Sequence, residues 1–124
     1  MRSALNKFNS TSMAIAGALA IALLIWAGFA GARVIQGTPE NYVELVQSLS
    51  SGDTLQLSPG IYTRGLLVHE LMGRPDQPIT IAGPEKRPAA VFLGRAGTNT
   101  ISLVNAAYVV IRNLTLDGKN LPVD

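Results

Sequence analysis

From Leu55 onward the chain repeats one small pattern. Leu55/Leu57, Leu66/Val68, Ile79/Ile81, Val91/Leu93, Ile101/Leu103, Val109/Ile111 and Leu114/Leu116 are apolar pairs two residues apart, often with Gln56, Thr80, Ser102 or Thr115 between them. Period two with one wet face is the pattern of a half-buried strand. The connectors "SPG", "GRPDQP", "AGPEKRP", "GRAGTN" and "DGKN" carry the Pro, Gly, Asn and Asp of turns. No segment between Leu55 and Leu116 has the length and period of a helix, so a doubly wound sheet, which needs helical crossovers, is ruled out.

A longer rhythm overlies the pairs. Leu55 to Ile79 is 24 residues and Ile79 to Ile101 is 22; Leu66 to Val91 is 25 and Val91 to Leu114 is 23. Two interleaved series with nearly equal steps predict a chain that winds in coils, each laying its strands on those of the coil before. The fold class expected is therefore all-β. An antiparallel sandwich, which also uses short strands at this spacing, is the alternative. Upstream, "TPENYVELVQSLSSGD" predicts a short amphipathic helix over about 39–50. Thr38 would be its cap, Pro39 its first position and Gly52 its stop, with Val43, Val46 and Leu49 on the apolar face. Such a helix would cover the open core and unpaired edges of the first coil, as the terminal repeats of a stacked fold require.

The first 32 residues are a separate object. Arg2 and Lys7 give a basic start, "MAIAGALAIALLIWAGFA" is apolar, and Ala30-Gly31-Ala32 supplies the small residues that a signal peptidase reads. We expect a secretory signal cleaved after Ala32, with an uncleaved anchor through residues 13–32 as the alternative; only then would the protein meet a membrane. The chain has 10 basic and 8 acidic residues. Without Arg2 and Lys7 it is neutral, and no Lys/Arg run marks a nucleic-acid surface. With no cysteine and a single histidine, His69, the chain excludes thiolate, iron–sulfur and paired-histidine chemistry.

"GDTLQLSPGIY", "PITIAGP" and "YVVIRNLTLDG" together resemble the opening of secreted right-handed parallel β-helix proteins of the pectate-lyase-like superfamily. They are similar to the beginnings of alginate-lyase and chondroitinase-B-type enzymes. The resemblance runs from about Tyr42 to Gly118 and is specific for fold rather than function, since the superfamily holds lyases, hydrolases, epimerases and non-catalytic proteins. It implies a signal over 1–32, an N-terminal capping helix within 33–53, and the first three or so coils of a right-handed parallel β-helix over 54–124. Because the sequence stops at "NLPVD" without a closing helix, the expectation is a truncated chain.

Function is expected to follow the fold. The first reading is a secreted, periplasmic or extracellular protein acting on polysaccharide, a lyase on an acidic glycan. β-Elimination needs the substrate carboxylate neutralised by Ca²⁺ or by Arg/Lys, a base for the adjacent proton, and a donor for the leaving oxygen. In the resembling lyases the catalytic basic residues come later than residue 124. No catalytic residue is therefore assigned, and no metal or cofactor is expected in this chain, with Ca²⁺ reserved for a full-length protein. The second reading is a non-catalytic surface adhesin or glycan-binding scaffold; a small protein dimerising through an open end is the third. Local candidates each have a plainer explanation. His69-Glu70 reads as a surface loop, Asp117-Gly118-Lys119-Asn120 as a turn, Arg64 and Arg74 as solvated side chains, and Asn105 and Asn113 as the start of an internal asparagine ladder. Asn113-Leu114-Thr115 matches the glycosylation pattern, as does Asn9 within the leader.

Overall fold

The computed structural model describes residues 32–119; the expected signal peptide and its cleavage site lie essentially outside them. Strand β1 is Val34–Gly37, helix α1 Tyr42–Gln47, and strands β2 to β9 are Thr54–Leu57, Gly60–Tyr62, Leu66–His69, Ile79–Ala82, Ala90–Leu93, Ile101–Val104, Val109–Arg112 and Leu114–Asp117. They form three sheets, β1-β2-β5-β8, β3-β6-β9 and β4-β7, and every ladder is parallel. Among the described residues the fold is thus all-β with one short helix, and the antiparallel sandwich is excluded. The chain visits the three sheets in turn, once as β2-β3-β4 and again as β5-β6-β7, then starts a third pass with β8-β9. Among the described residues no helix is long and apolar enough to cross a membrane.

The core lies between the sheets. Leu55 and Leu57 of β2, Leu66 and Val68 of β4, and Ile79 and Ile81 of β5 point inward and are buried. In β6 the phase is the reverse of the expected one. Ala90 and Phe92 are buried, while Val91 and Leu93 lie on the outer face. The sequence "AVFL" is apolar on both sides, so alternation alone could not choose. The choice is made by Phe92, which pairs in register with Tyr62 and stacks on it at 4.8 Å between ring centroids. Tyr42 of α1 meets both rings edge-on, at 5.0 and 5.7 Å. Such offset and T-shaped arrangements are the favoured ones for aromatic quadrupoles.

The two expected series of 22 to 25 residues are also corrected. Leu55 sits beside Ile81 and Ile81 beside Ile111; Leu66 pairs with Ile101, and Ala90 with Leu114. Each pass carries three strands, and its length varies because the connectors vary. Between the first and second sheets the chain uses two residues after β2, seven after β5 and one after β8. The one-residue corner is Asn113, at φ +58°, a left-handed conformation that asparagine tolerates. Asn105 turns the corner after β7 in the same way. Both asparagines are exposed and occupy different corners, so they are not the start of one internal ladder.

The helix is shorter than expected and starts later. Its first residue is Tyr42, with Asn41 at the cap position. The Thr38 carbonyl accepts from the N–H groups of Asn41 and Tyr42, and the Asn41 side chain accepts in return from the Thr38 N–H at 2.7 Å. The buried face is Tyr42, Val46 and Leu49, with Val43 half-buried. That face follows the 3.6-residue period, whereas the expected three-residue series Val43/Val46/Leu49 lies slightly rotated from it. Residues 33–53 also contain β1, which was not anticipated and which pairs with the edge of β2.

Polar side chains complete the docking of this segment onto β4. The Tyr42 hydroxyl donates to the Gly65 carbonyl at 2.7 Å and accepts from the Arg64 N–H. The Gln47 amide donates to the Leu67 carbonyl, and the Ser51 hydroxyl to that of Met72. Backbone acceptors along a sheet edge are thereby satisfied.

Two substitutions test this packing. Phe92→Ala should lower unfolding free energy by about 3–5 kcal/mol, as truncating a buried phenylalanine does, whereas Tyr42→Phe should cost about 1–2 kcal/mol for the lost hydroxyl bonds. Burial raises Tyr42 and Tyr62 above their ordinary pKa of 10.0. Their contribution is therefore complete below that pH and is lost as pH rises through the folded values, so urea midpoints should fall in alkali, and less so in Tyr42→Phe.

Candidate functional site

Three places among the described residues combine polar chemistry with a defined geometry. The first is the outer face of β4-β7. Alternation puts Leu67 and His69 of β4 outward, opposite Ser102 and Val104 of β7. The His69 Nε2 and the Ser102 hydroxyl share a hydrogen bond of 2.9 Å across the strands. A base bonded to a hydroxyl is the first requirement of an activated nucleophile. The second is an acceptor that orients the other ring nitrogen, and the third a set of donors for an oxyanion. Glu70, the carboxylate next in sequence, is turned away by its left-handed backbone (φ +59°) and accepts from the Asn105 amide at 2.7 Å. The two bonds, His69–Ser102 and Glu70–Asn105, tie one pass to the next at the same corner. The expectation of a loop for His69 is thereby corrected, since it ends a strand and is half-buried.

The second place is Asp53. It is fully buried, immediately before β2, and faces Arg33 immediately before β1. The parallel register of "RVIQ" beside "DTLQ" brings the two together. Its carboxylate accepts from Arg33 Nη2 at 2.8 Å, from Arg33 Nε at 3.3 Å and from the Ser50 N–H at 2.9 Å. Its backbone carbonyl accepts from the Thr80 N–H of β5. Burial alone would push the Asp53 carboxyl up; the Arg33 guanidinium and the Ser50 N–H outweigh it and hold the group below its ordinary value. This is a structural ion pair, with every oxygen engaged.

The third place is an open groove of about 600 Å³ against the outer face of β3-β6-β9, lined by Arg87, Pro88, Ala89, Val91 and Thr115. The connector from Gly83 to Ala89 forms its wall, with a cis peptide at Arg87-Pro88. Val91 and Thr115, in register on adjacent strands, form its floor, and Ile61 continues the same outer face on β3. Sequence reading missed this site, because its wall comes from a turn whose direction no periodicity reports.

The other candidates are placed as follows. Arg64 lies over the Tyr42 ring at 5.7 Å and donates to the Glu40 carbonyl. It therefore steadies the helix, while its contact of 3.9 Å with Glu44 is exposed and weak. Arg74 donates to the Gln77 side chain within one turn. Asp117 accepts from the Lys119 N–H at 2.9 Å, which is turn chemistry. Asn113 and Thr115 of the glycosylation pattern are both exposed. Among the described residues, no group of three or more His, Cys, Asp or Glu could hold a metal ion.

Compared with protein-family models, curated proteins and solved structures, the chain matches none.

Asp53→Asn should lower stability at neutral pH by about 2 kcal/mol, the scale of hydrogen bonds to a charged group. Because the folded carboxyl titrates below its unfolded value, the stability it supplies is fully present above about pH 4 and is lost as pH falls through the folded value. Urea midpoints of the two proteins should therefore differ at pH 7 and converge in strong acid.

Proposed function

We propose that these passes are the opening coils of a right-handed parallel β-helix that is exported from the cell and acts on polysaccharide, as a lyase on an acidic glycan. The observation that carries this reading is the stack itself: three parallel sheets, visited in turn, whose outer faces run as continuous strips along the direction of stacking. A strip of that kind suits an extended ligand with a repeat of its own. Inward-facing Leu103 of β7 and Leu116 of β9 are 59% and 55% exposed, and further coils laid on those edges would bury them. In this reading the base and the groups that neutralise a uronate carboxylate belong to such coils, with Ca²⁺ bound there if it is used.

A second reading is favoured by the bonding of the polar side chains. His69 is engaged by Ser102 and Glu70 by Asn105, so on this face polar groups hold the stack together. That is the economy of a non-catalytic glycan-binding scaffold or adhesin.

One experiment separates the two. The 124 residues alone should form no product, so the protein carrying those further coils is incubated with polygalacturonate, alginate, chondroitin and a neutral glucan, and both retention on the immobilised polymer and the ultraviolet absorbance of an unsaturated uronate product are followed. Product formation on an acidic polymer is the expected result. Retention without product supports the scaffold, and neither retention nor product on any polymer sinks the polysaccharide reading.

A further inference from the structure

We propose that the groove bounded by Arg87 and cis-Pro88 is a binding subsite for a uronate residue within an oligosaccharide, on the outer face of β3-β6-β9 and separate from the His69–Ser102 face. The inference deepens the polysaccharide reading and rests on it.

Three observations carry it. The first is shape. Ile61, Val91 and Thr115 are in register on adjacent parallel strands, and neighbouring strands lie about 4.8 Å apart. They form a shallow strip, mostly hydrocarbon with one hydroxyl, against which the C–H face of a pyranose ring can lie. Pro88 and Ala89 close one side. The second is charge. The connector carries Lys86 and Arg87 against a single acid, Glu85, and Arg112 stands beside its root, where the Gly83 N–H donates to the Arg112 carbonyl. The ion pairs among the described residues are Arg33–Asp53 and Arg64–Glu44, and neither involves these three cations. Arg87 is the charged member of the groove lining, and its planar fork matches a carboxylate through two parallel bonds. The third is the foundation. Behind this strip Tyr62 and Phe92 are fully buried and stacked on each other, so an aromatic pair backs it from the core. Asp117, the carboxylate on the same face of β9, lies two residues beyond Thr115 and accepts from the Lys119 N–H through one oxygen.

A carboxylate-bearing sugar satisfies both halves of this surface at once. A neutral sugar leaves the guanidinium without a charge partner, and a bare inorganic anion leaves the apolar floor uncovered.

The test is equilibrium dialysis of the intact chain against trigalacturonate, maltotriose and inorganic phosphate. Wild type should bind trigalacturonate in preference to the other two. Arg87→Gln should weaken it at least tenfold. Thr115→Asp, which puts a negative charge on the groove floor at an exposed position, should weaken it to a similar degree. His69→Ala should change it less than twofold. Trigalacturonate binding that survives both Arg87→Gln and Thr115→Asp overturns the groove and leaves the polysaccharide reading intact. So does retention on neutral polymers alone. Phosphate binding as strong as trigalacturonate reduces the site to a general anion contact and overturns the proposal. No binding by wild type of any saccharide, oligomeric or polymeric, overturns both.

Discussion

The stacking of Phe92 on Tyr62 is the contact on which the rest of this architecture depends. Parallel strands from successive passes can slide past one another by two residues and still keep their apolar sides inward. Two flat rings in adjacent registers cannot slide without losing each other. Their overlap fixes β6 on β3, and with it the phase of a strand that is apolar on both faces. It also fixes where the helix goes, because Tyr42 presents its ring edge to both and its hydroxyl to the Gly65 carbonyl. The outer strip of Ile61, Val91 and Thr115 is the reverse side of the same registration.

Much of the fold was legible from the sequence, and the failures share a cause. Alternation found β2, β5 and β9, whose outward residues are polar or small, and also β4, β7 and β8, where a polar residue still breaks the outward face, and turn chemistry found the corners. Periodicity then failed at β6, where both faces are apolar. It failed again at the repeat, where the steps from Leu66 to Val91 and from Ile79 to Ile101 joined strands of different sheets. Spacing along a chain measures connectors as well as strands, and here the connectors change from pass to pass. Of the expected helix face Val46 and Leu49 are buried, while Tyr42 takes the deep position that a three-residue spacing gives to Val43.

The candidate site was less legible still. His69 was visible as the lone histidine, but its partner Ser102 lies 33 residues away and becomes a neighbour only through the ladder of β4 with β7. Asp53 carried no signal of its own in the sequence. Its burial depends on Arg33 arriving from a strand that the sequence did not announce. Both pairs are long in sequence and short in space, which is the ordinary consequence of parallel stacking. A residue's chemistry is set by whatever occupies the same position one pass earlier or later.

The corner between the first two sheets illustrates how such a fold accommodates change. The same turn is made by two residues after β2, by seven after β5 and by Asn113 alone after β8, yet the strands on either side stay in register. Close approach also marks where change is forbidden, since a side chain on Gly83 would strike the Asn113 carbonyl. Insertions between Gly83 and Ala90 therefore fall outside the stack, and a lengthened loop there would deepen the groove rather than disturb the core. The segment from Pro84 to Ala89 is the natural graft point for new recognition chemistry on this scaffold, with an anchored residue at either end.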